Sequence, residues 1–111
     1  MKAVVLGGGS WGTGFSRLLL DRGFEVTLAM HHAEDAQAIR ETGRNPRYLT
    51  DVDLDGAQAT TIADAPFAET DLVVVAVPSR AFRSVVQDLP GDPDWPGMSF
   101  VVLVIPFSRQ I

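Results

Sequence analysis

The chain has 111 residues, of which 46% are hydrophobic, and this is enough for one domain with an ordinary globular core. It has no cysteine, which excludes a disulfide framework and a thiolate metal site and fits a reducing compartment. The formal net charge of −5 argues against general nucleic-acid binding. No apolar run reaches the length of about 18 residues that a membrane-spanning helix needs, so we expect neither nucleic acid nor membrane among the partners.

The first predicted strand, residues 2–6, runs directly into a glycine-rich turn. Gly7, Gly9 and Gly12 have the G-x-G-x-x-G spacing of a dinucleotide-binding turn. In such a turn the first glycine permits the sharp exit from the strand, and the second lets the backbone approach a pyrophosphate. The third lets the next helix pack close to the sheet. The start of that helix presents unpaired N–H groups and a partial positive charge to the phosphates.

This glycine motif is a weak signal by itself, because a flexible turn can hold three glycines by chance. Its context supports the dinucleotide interpretation. Apolar residues at helical spacing predict a helix over residues 13–22, which ends at Gly23. Residues 24–30 then read as a second strand. The three elements form a strand–helix–strand unit of the size that the motif requires.

The rest of the chain continues to alternate between strands and helices. The strongest predicted strand, residues 71–77, is continuously apolar, as expected of a strand buried on both faces of a parallel sheet. The other predicted elements are a helix over 33–42, a long connection over 43–58, a strand over 59–62, a short helix over 63–70 with Pro66 in its first turn, a helix over 79–88 and a strand over 99–105.

This alternation predicts an α/β fold with a Rossmann-like parallel sheet of about five strands and helices on both faces. Right-handed crossovers and a nucleotide site in the first turn predict the strand order 3-2-1-4-5. In this interpretation residues 1–105 form one dinucleotide-binding domain, and residues 106–111 form an atypical polar tail.

The end of the second strand bears on which dinucleotide is bound. A dinucleotide fold usually carries Asp or Glu about 20 residues past the glycines, where it binds the ribose 2′-hydroxyl. That position holds His31 and His32 instead. A carboxylate would repel a 2′-phosphate and imidazoles would not, so the pair favours NADP, or tolerance of both NADP and NAD. Two alternatives stay open: Glu34 or Asp35 reaches the ribose, or the histidines belong to a solvated loop.

Four stretches of the sequence resemble one enzyme family in order and spacing. Residues 7–13 closely resemble the G-x-G-S-W-G-T turn of bacterial NAD(P)-dependent glycerol-3-phosphate dehydrogenases. Residues 25–28 resemble the second strand of that family, and residues 45–49 resemble its N-P-R-Y-L stretch. Residues 75–79 resemble its V-A-V-P-S segment. The resemblance covers residues 1–105.

The resemblance implies reversible hydride transfer between NAD(P)H and dihydroxyacetone phosphate, which gives sn-glycerol 3-phosphate for phospholipid synthesis in the cytoplasm. It implies cofactor contacts from the glycine turn, from the histidine pair near the adenosine ribose, from an aromatic residue near that pocket, and from the carboxyl end of the fourth strand. Trp11 and Tyr48 have a structural alternative, in which each ring only packs against its loop. The predicted cofactor-binding residues are Gly7, Gly9, Ser10, Trp11, Gly12, His31, His32, Tyr48 and Pro78.

The chain also departs from the family pattern. Ala29 and Met30 stand where the family usually has Trp and a small residue, and residues 50–51 replace a Pro-Gly pair. After the fifth strand the family has a Thr/Ser-Lys-Gly segment, whereas the only lysine of this chain is Lys2. The family's helical C-terminal domain, with its catalytic lysine, has no counterpart here. We therefore predict no catalytic residue, and expect substrate to bind only with that missing domain. We also predict no metal site, because the chain has only two histidines, adjacent in sequence, and no cysteine.

Two other functions stay open at this stage. In the first, the chain would be a free-standing NAD(P)-binding or redox-sensing module. In the second, it would be the cofactor domain of another two-domain reductase, such as a ketopantoate reductase. Without a second domain, apolar surface near the fifth strand is expected to be exposed, and a homo-oligomer is one way to cover it.

Overall fold

The structure, a computed structural model, describes residues 1–78 and 99–105. The predicted helix over 79–88 and the tail over 106–111 lie outside the described residues. The elements are β1 (Lys2–Leu6), α1 (Ser10–Asp21), β2 (Glu25–Met30), α2 (Ala33–Thr42), β3 (Gln58–Thr61), two 3₁₀ helices (Ile62–Asp64 and Phe67–Glu69), β4 (Leu72–Pro78) and β5 (Ser99–Ile105). No helix within the described ranges has the length and apolar character needed to cross a bilayer.

The strands form one parallel sheet in the order β3-β2-β1-β4-β5, which confirms the predicted order. Leu6 at the end of β1 is in register with Ala29 on one side and Val75 on the other. The carboxyl ends of the three central strands therefore meet at one edge of the sheet. Ligands bind at this edge in open parallel sheets, beyond the point where the strand order reverses.

Alternate side chains of the central strands enter two separate apolar cores. The core on one face is completed by α1 and α2, which both lie on that face. It contains Val5, Val26, Leu28, Met30, Ala36, Ile39, Leu54, Ala59 and Val74, with Phe15, Leu19 and Leu20 of α1 packed against it. Val4, Leu6, Val73, Val75 and Val77 point to the opposite face, where Phe67 from the second 3₁₀ helix covers them.

Helix α1 begins at Ser10, three residues before the predicted start. Gly7 has φ +108°, and this conformation turns the chain out of β1 at once. Gly9 is then the N-cap with an extended backbone, and its carbonyl oxygen accepts the first helical hydrogen bond, from the Thr13 N–H at 2.9 Å. Ser10, Trp11 and Gly12 thus belong to the helix and not to the turn.

The single helix predicted over 63–70 is wrong. The structure has two 3₁₀ helices there, Ile62–Asp64 and Phe67–Glu69, separated by an extended Ala65 (φ −65°, ψ 142°). Pro66 causes the break, because its ring disfavours the α region for the residue before it. The prediction placed Pro66 in the first turn of a helix without weighing this effect on Ala65.

The long connection between α2 and β3 is ordered by buried groups. Helix α2 ends at Gly43, which is left-handed with φ +74°. Its carbonyl oxygen accepts a hydrogen bond from the Leu54 N–H at 2.7 Å, and the Leu54 side chain is fully buried in the core under α1 and α2. The hydrogen bond thus holds together the two ends of the segment 43–54, which forms a closed loop anchored in the core.

Candidate cofactor-binding site

A cleft of about 810 Å³ opens at the carboxyl ends of β1, β2 and β4. We call it the glycine-turn cleft. It brings together all the predicted site residues except two: Gly12 lies beneath it in α1, and Pro78 ends β4 at the same edge, with a side chain outside the described part. The lining residues are Gly7, Gly8, Gly9, Ser10, Trp11, Met30, His31, His32, Asp35, Arg47, Tyr48, Ala76 and Val77.

Gly7 and Gly12 are required by close contacts within the protein. A Cβ atom on Gly7 would overlap the carbonyl oxygen of Ala76 on β4. A Cβ atom on Gly12 would overlap the carbonyl oxygen of Gly7. The strand β1, the turn and the helix α1 therefore pack backbone against backbone, which leaves no room for a side chain at either position.

Gly9 differs from both, because nothing among residues 1–78 and 99–105 requires it to be a glycine. Its φ is −81°, which any residue adopts, and a Cβ atom there would meet nothing within 4 Å. Gly9 lines the glycine-turn cleft at the N-terminus of α1. The first N–H groups of a helix have no intrahelical partner and carry a partial positive charge, which attracts an anion. The space beside Gly9 is thus open to a ligand.

The Trp11 ring forms an exposed apolar wall of the cleft. The Trp11 residue is 53% exposed. On its other side the ring borders a hollow lined by Phe15, Leu18 and Leu49. Tyr48 also lines the glycine-turn cleft with a ring that is about half exposed.

The histidine pair lies where β2 ends and α2 begins. Both side chains are exposed and line the cleft. His32 is the N-cap of α2, and its carbonyl oxygen accepts hydrogen bonds from the N–H groups of Asp35 (3.2 Å) and Ala36 (3.3 Å). The imidazoles of His31 and His32 are therefore placed beside the start of a second helix.

Asn45 joins the glycine turn to the long connection, a role that sequence reasoning missed. Its side chain is 1% exposed, and its amide nitrogen donates to the Gly8 carbonyl oxygen (2.8 Å) and to Thr13 Oγ1 (2.9 Å). Its amide oxygen accepts from the backbone N–H groups of Arg47 (2.9 Å) and Tyr48 (3.2 Å). One buried amide thus holds the glycine turn and the long connection together, and both segments line the cleft. The available signal was its place at the start of the N-P-R-Y-L stretch.

Arg47 is the second residue that sequence reasoning missed. Its Nε lies 2.9 and 3.1 Å from the two carboxylate oxygens of Asp35. This carboxylate lines the cleft, whereas Glu34 is exposed and lies outside the lining. The alternative in which Asp35 reaches a ribose therefore requires it to share its oxygens with Arg47. The signal available in the sequence was a guanidinium beside an aromatic residue in the N-P-R-Y-L stretch.

These features suit a long anionic ligand with aromatic groups. The helix terminus beside Gly9 offers N–H donors, Trp11 and Tyr48 offer apolar surfaces, and Arg47 offers a cation. The single lysine, Lys2, lies at the start of β1, at the opposite edge of the sheet. Among the described residues that line the cleft, the permanently charged cation is therefore the Arg47 guanidinium and not a lysine.

Comparison with known proteins assigns the family. Residues 2–105 match the family described as "NAD-dependent glycerol-3-phosphate dehydrogenase N-terminus". The chain belongs to this family. The resemblance noted from the four sequence stretches is thereby confirmed, and this family membership covers every element that the structure describes.

The curated relatives are much longer than the matched region. The glycerol-3-phosphate dehydrogenase [NAD(P)+] of Nocardia farcinica is 47% identical over 83 residues, which is 75% of this chain and 25% of that protein. The enzyme of the same name from Streptomyces coelicolor is 44% identical over 89 residues, which is 79% of this chain and 26% of that protein. The chain spans about a quarter of the relatives that it matches.

A solved structure supports the same fold. The glycerol-3-phosphate dehydrogenase of Coxiella burnetii superposes with a TM-score of 0.75 at 23% identity, over 91% of this chain and 31% of that one. Likeness at this identity shows the fold of the family's N-terminal domain and nothing about its ligands. The Rossmann-like fold of the chain is thus found in an enzyme of the assigned family.

Proposed function

We propose that this chain is the dinucleotide-binding part of a glycerol-3-phosphate dehydrogenase and binds NADP(H) or NAD(H) in the glycine-turn cleft. The observation that carries this proposal is the contrast among the three glycines. Gly7 and Gly12 are glycines because the protein itself fills the space around them, whereas no described residue fills the space beside Gly9. A phosphate that approaches the backbone needs that space.

The lining residues support one orientation of the dinucleotide. The pyrophosphate lies beside Gly9, against the first N–H groups of α1. The adenosine ribose lies towards His31 and His32 at the end of β2, the position that binds this ribose in dinucleotide folds. Trp11 and Tyr48 contact the cofactor with their exposed rings. Pro78, at the end of β4, lies on the nicotinamide side.

The proposed reaction of the whole enzyme is hydride transfer between NAD(P)H and dihydroxyacetone phosphate, which gives sn-glycerol 3-phosphate in the cytoplasm. This reaction needs a proton donor near the ketone oxygen and a cation for the substrate phosphate. The lysine of this chain is at the wrong edge of the sheet for either task. We therefore expect the substrate site to be completed by protein beyond these residues, and we expect no oxidation of NADPH by the 111-residue chain with dihydroxyacetone phosphate.

Substitution of Gly9 tests the proposed cofactor site directly. Gly9→Val adds a side chain to the open space without an internal clash, so the fold is retained and the affinity for NADPH and NADH falls at least tenfold. Binding is measured by isothermal titration of the full chain, and folding by circular dichroism. Gly14→Ala is the matched control, because Gly14 lies in α1 outside the cleft. Unchanged affinity in folded Gly9→Val would contradict the proposed site.

A further inference from the structure

Asp35 and Arg47 form an ion pair inside the glycine-turn cleft, close to the histidine pair. We propose that this pair selects dinucleotides that carry a 2′-phosphate. Arg47 cancels the charge of Asp35 and offers its terminal N–H groups to the phosphate. The proposal rests on the proposed function, because it assigns a specificity to the same cleft.

An acidic residue near the end of β2 accepts hydrogen bonds from the ribose 2′-hydroxyl in NAD-binding folds and repels a 2′-phosphate. Among the described residues that line the cleft, Asp35 carries the one carboxylate. Its side chain is 11% exposed, and both of its oxygens face Nε of Arg47. The group that would favour NAD is therefore present but already paired.

The Arg47 guanidinium keeps free donors. Its Nε–H donates to the Asp35 carboxylate, and within the described ranges its two terminal nitrogens have no hydrogen-bond partner. The side chain is 58% exposed, so these nitrogens are accessible from the cleft. A guanidinium binds phosphate through two parallel N–H donors, which is a stronger interaction than that of a neutral donor.

Arg47 is held in place through its backbone. Its backbone N–H donates to the buried Asn45 amide oxygen at 2.9 Å, and the Asn45 amide nitrogen donates to the Gly8 carbonyl oxygen of the glycine turn at 2.8 Å. The position of Arg47 relative to the phosphate-binding turn is therefore fixed by the fold. His31 and His32 line the same cleft and add ring nitrogens, whereas Glu34 lies outside it.

The preference for a 2′-phosphate is measured with two pairs of ligands, and the members of each pair differ only in that phosphate. The full chain is titrated with adenosine 2′,5′-bisphosphate and 5′-AMP, and with NADPH and NADH. Arg47→Gln is expected to weaken binding of the 2′-phosphorylated ligand of each pair about tenfold relative to its partner, as expected for loss of a charge-assisted hydrogen bond. Arg47→Lys keeps the charge and retains part of the preference. Arg44→Gln is the matched control, since the Arg44 side chain donates to the backbone carbonyl oxygens of Thr50 and Asp51 and does not line the cleft.

A double variant separates charge cancellation from simple loss of a contact. Arg47→Gln exposes the Asp35 carboxylate to the ligand, so Asp35→Asn in the Arg47→Gln background is expected to recover several-fold in affinity for NADPH and little for NADH. A structural defect would weaken both ligands alike, and such an equal loss, or no recovery in the double variant, overturns the inference.

Failure of the unsubstituted chain to bind any of the four ligands would instead overturn the proposed function itself. Binding with an unchanged preference overturns this inference alone.

Discussion

At the scale of single residues, two glycines of helix α1 have opposite requirements. A Cβ atom at Gly12 would overlap the Gly7 carbonyl oxygen, whereas one at Gly14 would meet only Leu49 Cδ1, at an ordinary distance of 3.8 Å. We expect Gly12→Ala to lower the free energy of unfolding by about 1–3 kcal/mol, as overpacking does. Gly14→Ala is expected to raise it by about 0.5–1 kcal/mol, because alanine costs less backbone entropy in a helix. Urea denaturation of both variants measures this difference, and equal effects would contradict it.

Asn45 is the residue whose loss is expected to affect both stability and binding. Asn45→Leu removes the partner of four polar groups in the turn and the connection, and a buried group left without a partner costs about 1–3 kcal/mol. We expect the free energy of unfolding to fall by about 2–4 kcal/mol and the affinity for NADPH to fall in the fraction that stays folded. Gln37→Leu is the control, since Gln37 is exposed and its side-chain amide donates to the exposed Glu41 carboxylate. If Asn45→Leu were as stable as this control, Asn45 would not join the glycine turn to the long connection.

At the scale of elements, the sequence predicts the sheet well and the connections poorly. The strands are short apolar runs whose order follows from general rules of handedness, so β1, β2 and β4 could be placed within a residue or two. The role of Asn45 depends on contacts with Gly8 and Thr13, which are more than 30 positions away in the chain. No local pattern predicts where a long connection folds back. The glycine turn and the histidine pair were accessible to sequence reasoning because neighbouring residues in the chain define them.

The long connection is a structural element of the core as well as a wall of the cleft. Leu54 is fully buried among residues of β1, β2 and α2, whereas Leu49 of the same connection is exposed. We expect Leu54→Ala to lower the free energy of unfolding by about 2–5 kcal/mol, the usual cost of a cavity in a core. Leu49→Ala is expected to cost less than about 1 kcal/mol. Chemical denaturation of the two variants compares these costs, and similar values would mean that the connection is not anchored through Leu54.

At the scale of the whole molecule, the cleft joins three strand ends, the start of α1 and the long connection. A ligand that binds there contacts elements that must all be in place together, so it binds the folded chain and not the unfolded one. At a cofactor concentration of about 100 times the dissociation constant, this linkage stabilises the folded state by about 2.7 kcal/mol. For a domain of this size the melting temperature then rises by roughly 10 °C or more. Thermal denaturation with and without NADPH measures the shift, and the same shift in Gly9→Val would show that the stabilisation comes from binding elsewhere.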